Sequence, residues 1–258
     1  MFETLAVEHA APHVLLLRLN RPAASNALNT QMGRDLLAFF HAVPEGTRAV
    51  VLTGTGERAF CAGGDLKERN GMTDAQWQAQ HEVFERAYWA LMDCPVPVIA
   101  AVNGAAFGGG CEMALACDFA YAAETARFAL TEVTLGIMPG AGGTQNLPRA
   151  AGSRRAKEII FTGLPFTAAE ALEWGVVNRV LPAPELLPAA LATATRIAAN
   201  APLAIRQAKT SIRFGAETDL HSALRLEVEA YNRLVGTEDR HEGVAAFNEK
   251  RAPRFQGR

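Results

Sequence analysis

The 258-residue sequence has only four cysteines, three tyrosines and three tryptophans, and its charges nearly cancel at −2. The cysteines (Cys61, Cys94, Cys111 and Cys117) form no C-x-x-C pair, and the six histidines show no H-E-x-x-H or other ligand spacing. No metal site is therefore expected, and buried free thiols of a reducing compartment are the natural reading. The small net charge exerts no global pull toward nucleic acid or an anionic membrane. No apolar run reaches membrane-spanning length, because Ile99–Leu115 is broken by Asn103, four glycines and Glu112. Met1 to His13 carries acids and no long apolar run, so it does not read as a secretory signal. A soluble, cytoplasmic protein is the expectation. The strings G-x-G-x-x-G, Walker A and G-x-S-x-G are also missing. Their absence argues against dinucleotide oxidoreductases, P-loop NTPases and serine hydrolases.

Hydrophobic residues make up 49% of the chain and charged residues 20%, enough for a sizeable core without crosslinks. The first half alternates apolar runs with helical patterns. Val14–Leu19, Ala49–Leu52 and Val96–Val102 read as strands, the last weakened at Pro97. Met32, Leu36, Phe39 and Val43 recur at helical spacing behind a cap at Asn29 or Thr30, and Trp77–Leu91 marks a longer helix. This alternation predicts an α/β layered fold with a largely parallel sheet. From about Ser153 the pattern is almost wholly helical. A short strand at Val176–Leu181 precedes helices beginning near Glu185, over Leu220–Val235, and over Thr237–Arg251. The chain divides on this reading into an α/β core, residues 1–195, and a helical C-terminal section, residues 196–258, that packs on the core or on a neighbouring subunit.

Glycine gathers in three strings: Ala59–Lys67, Asn103–Glu112 and Leu135–Thr144. Glycine lets backbone N–H groups be aimed at a ligand atom. Ordinary turns are the alternative, and for the third string they stay fully open. In the second, three glycines run straight into a helical pattern, so free N–H groups and a helix dipole coincide. Such a place favours an anion or a developing oxyanion. Glu112 follows these glycines in an apolar helix, and Glu132 sits in Phe128–Leu135 among mostly apolar neighbours. Each alone is explained by a dipole or capping role. Together, beside a cradle of N–H groups, they suggest an acid/base pair.

These strings, in this order, resemble the enoyl-CoA hydratases of the crotonase superfamily. The resemblance begins at Asn20-Arg21-Pro22 and Asn26-Ala27-Leu28 and passes through the three glycine strings. It continues with Ala168–Val177 and ends at Glu242-Gly243 and Phe247–Arg251, covering essentially the whole chain. It implies repeated ββα units that form two roughly perpendicular sheets, with C-terminal helices that build trimers, commonly paired into hexamers. By position, the N–H groups of Gly64 and Gly109 would hold a thioester oxygen as an oxyanion hole. Glu112 and Glu132 would be the catalytic acids. Ala62, Gly64, Asp65, Leu66, Lys67 and Gly109 would lie along an acyl-CoA, and Phe247 and Lys250 would approach it, from a neighbouring subunit if not from their own. Coenzyme A would enter with the substrate, so no separate cofactor is expected. Ala23 and Ala24 stand where relatives often carry a basic residue for the coenzyme's phosphates, which leaves Arg21, Lys67 or Arg69 to supply that charge.

The reaction so implied is hydration of a 2-enoyl-CoA. Water adding at the β-carbon drives charge onto the thioester oxygen, which two N–H donors would stabilise, while the glutamates manage the protons. A Δ3–Δ2-enoyl-CoA isomerase is the alternative, but such enzymes typically keep an acid at the Glu132 position and lose that at Glu112. Outside catalysis, an acyl-CoA-binding or RNA-binding homologue would use basic groups such as Arg154-Arg155 and Lys250-Arg251.

Overall fold

The computed structural model describes residues 2–258. Strands β1 (Leu5–Ala11) and β2 (Val14–Leu19) are followed by α1 (Thr30–His41), β3 (Ala49–Gly54), β4 (Ala59–Cys61), α2 (Leu66–Arg69) and α3 (Asp74–Met92). Then come β5 (Val98–Val102), β6 (Ala105–Phe107), α4 (Gly109–Ala116), β7 (Phe119–Ala123) and β8 (Arg127–Ala129). The rest contains α5 (Gly143–Ala151), α6 (Ser153–Thr162), β9 (Phe166–Thr167), α7 (Ala168–Glu173) and β10 (Arg179–Leu181), and then α8 (Ala183–Ala198), α9 (Pro202–Gly215), α10 (Leu220–Val235) and α11 (Glu238–Asn248).

Ten strands make two sheets. The larger has the order β1-β2-β3-β5-β7-β10 and the smaller β4-β6-β8-β9. Only the β1/β2 and β8/β9 pairs are antiparallel. The chain crosses from the large sheet to the small one three times, at β3–β4, β5–β6 and β7–β8, which makes the expected α/β architecture a repeat of paired strands. Central strands β3 and β5 are buried on both faces, which is why they read as unbroken apolar runs. The short strands β4, β6 and β8 stack in parallel, with Cys61 beside Ala106 and Phe107 beside Ala129. Their C-terminal ends consequently open on the same side.

Asn29 caps α1 by accepting the amide of Met32, as its sequence position suggested. Thr73 and Gln76 form a capping box that starts α3 three residues before Trp77. The strand expected at Val96 begins at Val98, because Pro97 supplies no donor. The one expected at Val176 is confined to Arg179–Leu181, since the amides of Val176 and Val177 both donate to Ala171 O and close a turn. Beyond Ser153 two short strands, β9 and β10, interrupt the helices. The boundary drawn between residues 195 and 196 falls inside α8, whose Ala190, Ala194 and Ala198 are buried. Further along, Arg48 donates to the carbonyls of Ala198 (3.0 Å) and Phe255 (2.8 Å), and Lys209 pairs with Asp118 at 2.7 Å. Among the described residues no helix is long and apolar enough to cross a membrane.

Candidate active site

The three parallel ends of the small sheet deliver the residues singled out by the sequence. After β4 the chain turns through Ala62 and Gly63 to Gly64, which forms a bridge with Leu28. In that bridge Leu28 N–H donates to Gly63 O (2.7 Å) and Asp65 N–H to Leu28 O (2.9 Å). The amide of Gly64, between them, donates to no acceptor among the described residues. After β6, Gly108 adopts φ 50° and ψ −123°, a conformation open essentially to glycine, and α4 starts at Gly109. As the first residue of a helix, Gly109 has an N–H without an intrahelical partner. Helix α4 lies so close to β4 that a Cβ on Gly110 would sit 2.0 Å from Cys61 O.

The loop is braced from beneath by the Asn-Arg-Pro…Asn-Ala-Leu string. Arg21 donates to Ala27 O at 2.5 Å and pairs with Asp65 at 2.9 Å. Buried Asn26 accepts the amide of Arg21 and donates to the carbonyls of Thr55 and Ala59. Asp65 also caps α2 by accepting from Lys67 and Glu68. Arg21 holds Asp65's carboxyl below its ordinary range despite the opposing effect of burial. Both side chains are thus committed to holding Gly64 in place. Tyr88, which the sequence marked only as a helix-face aromatic, donates its hydroxyl to Gly109 O at 2.5 Å and fixes the second glycine.

Glu112 and Glu132 are both buried. Oε1 of Glu112 accepts the amides of Ala141 and Gly143, each at 2.8 Å. The third glycine string, which ordinary turns also explained, therefore clamps the first acid. Burial pushes Glu112 up to about 7; the charge of Glu132 adds to this, while the two amides oppose it. Glu132 lies on a single 3-10 turn, Glu132–Leu135, after β8. Burial raises its pKa too, and its Oε2 has no hydrogen-bond partner among the described residues. A Cβ on Gly108 would meet its Oε1 at 3.0 Å, so this acid abuts the turn leading into Gly109. Two neighbouring buried carboxyls disfavour simultaneous ionisation. Burial and mutual repulsion therefore both favour the protonated form in this pair.

One cavity of about 420 Å³ joins these groups. Ala62, Gly64, Leu66, Gly109, Glu112 and Glu132 line it. Trp77, Phe84, Ile137 and Met138 supply apolar wall, and Arg69 and His81 line it as well. Asp65, Lys67, Phe247 and Lys250 are not among the residues that line it; Phe247 lies near the end of α11 with 84% of its surface exposed. All four cysteines are buried and free, and burial holds the Cys61 thiol up at about 11. No group of metal-ligating side chains occurs among the described residues.

A family model described as enoyl-CoA hydratase/isomerase matches residues 9–258. The chain is 44% identical over 247 residues to the 2,3-dehydroadipyl-CoA hydratase of Escherichia coli, covering 95% of this chain and 96% of that protein. It is 40% identical over 240 residues to the short-chain-enoyl-CoA hydratase of Clostridium acetobutylicum, with 92% of each covered. The crystal structure of an enoyl-CoA hydratase from Bacillus anthracis matches with a TM-score of 0.97 and 46% identity, covering 99% of this chain and 100% of that one. A match of this extent, over a fold whose small-sheet ends converge on one cavity, means that the chain belongs to the enoyl-CoA hydratase/isomerase family of the crotonase superfamily.

Proposed function

We propose that the protein is an enoyl-CoA hydratase, adding water across the 2,3 double bond of an enoyl-CoA to give a 3-hydroxyacyl-CoA. The observation that carries this reading is the meeting of two buried carboxyls and two unspent backbone N–H groups around one cavity. The amides of Gly64 and Gly109 receive the thioester oxygen as it becomes an enolate oxygen. Preorganised donors of this kind contribute roughly 3–4 kcal/mol each to transition-state stabilisation. Glu112, aimed by two amides through Oε1, keeps Oε2 for the attacking water. Glu132, next to Gly108, completes the pair. One carboxyl takes a proton from the water as it attacks the β-carbon, and a proton is delivered to the α-carbon.

The coenzyme runs past Ala62, Gly64 and Leu66, which line the cavity, and past Asp65 and Lys67, which flank them in the chain. Since Asp65's carboxylate is committed to Arg21 and the α2 cap, it offers backbone there rather than charge. Phe247 and Lys250 contact the coenzyme from a neighbouring copy in a trimer or hexamer, which agrees with their distance from this chain's own cavity.

The test is a pair of conservative variants. Glu112→Gln and Glu132→Gln keep size while removing proton transfer, and each lowers crotonyl-CoA hydration by about a hundred- to ten-thousand-fold in a folded protein. If Glu112→Gln hydrates at the wild-type rate, or if only Glu132→Gln abolishes turnover while 3-enoyl-CoA isomerisation is the faster wild-type reaction, the isomerase assignment replaces this one.

A further inference from the structure

The segment that clamps Glu112 has little hydrogen bonding of its own. From Met138 to Ala141 the backbone makes one hydrogen bond among the described residues, from the Ala141 amide to Oε1 of Glu112 at 2.8 Å. The stretch belongs to no helix or strand. What aims that amide must therefore be side-chain packing against the segment.

His81 provides it. This residue lies on the face of α3 that lines the cavity, between Trp77 and Phe84. A Cβ on Gly140 would meet its Cε1 at 2.5 Å and its Nε2 at 2.9 Å, so the imidazole rests on the Gly140 backbone with no space for a side chain between them. The Cα of Gly140 and the amide of Ala141 belong to one planar peptide unit. The ring thus touches the same rigid unit whose N–H reaches Glu112.

The ring is itself held. Its Nε2 lies 3.1 Å from Oε1 of Glu85, one turn further along α3, with both side chains half-exposed. Residues 133–146, on the facing wall, carry no titratable side chain to compete with Glu85 for the ring. Arg69, the other cationic side chain lining the cavity, is stacked over Trp77 at 4.2 Å and gives its Nε to Gln80, its outer nitrogens without a protein partner.

We infer that His81 is a positioning residue for Glu112: fixed by Glu85, it seats the Gly140–Ala141 peptide and so sets where the acid's carboxyl points. The inference rests on the proposed hydratase reading for its effect on rate, whereas its effect on the titration of Glu112 is measured without substrate.

Three variants of the whole protein test it: His81→Ala, Gly140→Ala and the two combined, with circular dichroism to confirm the fold. The first removes the ring, and the second forces ring and peptide apart. In each, kcat for crotonyl-CoA hydration should fall by roughly ten- to a hundredfold with KM moving less, the pattern of a displaced catalytic group. Because the two residues act through one contact, the double variant should lose no more than the worse single one. His81→Phe, which keeps a ring against Gly140 without the Glu85 contact, should retain more of the rate than His81→Ala.

The second readout is Tm against pH. The Ala141 amide opposes the rise in Glu112's pKa, so loosening it raises that pKa further. The fall in Tm that accompanies loss of the Glu112 proton then extends to higher pH in His81→Ala. The same substitution in a Glu112→Gln background reports what His81 contributes by its own titration, and the difference between the two backgrounds belongs to Glu112. Additive losses of rate in the double variant, or a Tm profile that changes equally in both backgrounds, overturns the inference. A profile that shifts only where Glu112 is present, in a protein that hydrates no enoyl-CoA, supports the positioning role and sinks the hydratase reading instead.

Discussion

Gly143 donates its amide to Oε1 of Glu112 at 2.8 Å, and a methyl group on that glycine would lie 2.9 Å from the same oxygen. The residue that orients the acid is therefore also the one that leaves it room. The same methyl would press on Pro139 at 2.9 Å. Gly143→Ala is expected to displace the Glu112 carboxyl while leaving the sheets intact. A shift of about 1 Å in a catalytic group costs on the order of a hundredfold in rate. Steady-state hydration, with circular dichroism to confirm the fold, checks this; an alanine variant of full activity would show that the carboxyl position is not demanding.

The raised pKa of Glu112 makes stability depend on pH. Its carboxyl sits at about 7 in the folded chain, against an ordinary 4.5. Between those values the folded state binds the extra proton, so the stabilisation is complete below about pH 4.5 and is lost as pH rises through 7. Glu132, also raised by burial, acts in the same direction. The Glu112 contribution is roughly 3 kcal/mol at most. In Glu112→Gln that dependence disappears, so its Tm should decline less than wild type from about pH 5 to pH 8 and exceed it at the alkaline end. Parallel Tm curves for the two proteins would contradict the assignment.

Gly109 occupies the first position of α4, where a proline ring is tolerated because no intrahelical N–H is required. Gly109→Pro thus removes one proposed oxyanion donor with little expected damage to the helix. Hydration should fall by about a hundred- to a thousand-fold. If a folded Gly109→Pro protein turns over normally, the thioester oxygen is held elsewhere.

Neither α9 nor α10 contains a fully buried residue, although Ile212, Leu220, Leu224, Val228 and Tyr231 on them are apolar and exposed. Apolar surface of this extent is typical of interfaces between subunits. Light scattering should report a trimer or hexamer at micromolar concentration, and Val228→Glu should dissociate it. A wild-type monomer would remove the proposed source of Phe247 and Lys250 at the coenzyme.

Helices α1, α3 and α10 were legible because each is long enough to show its period, and β2, β3 and β5 because each is an unbroken apolar run, whereas α9 and the inner strand β7 were not read individually. Helix α10 spans the Leu220–Val235 stretch marked by its apolar face, and α1 starts at the expected asparagine cap. The strands β4, β6 and β8 were not read, because three residues carry no period and their neighbours in the sheet lie far off in sequence. Those strands place the site. Arg69 was visible only as one of three candidate cations for phosphate. Its stacking on Trp77 depends on where α2 meets α3, which spacing alone does not reveal.

What the sequence by itself determined are the chemical groups: two acids in apolar settings and glycines where backbone must come close. Their order along the chain was also enough to indicate the family. The tertiary structure alone decided which amides remain free and which acid they serve. A backbone N–H is available to a ligand only if no other part of the chain accepts it, and that accounting extends over the whole fold. Thus the amides of Ala141 and Gly143 were spent on Glu112, that of Gly64 was left open, and the guanidinium of Arg69 was turned into the cavity with its outer nitrogens unpaired.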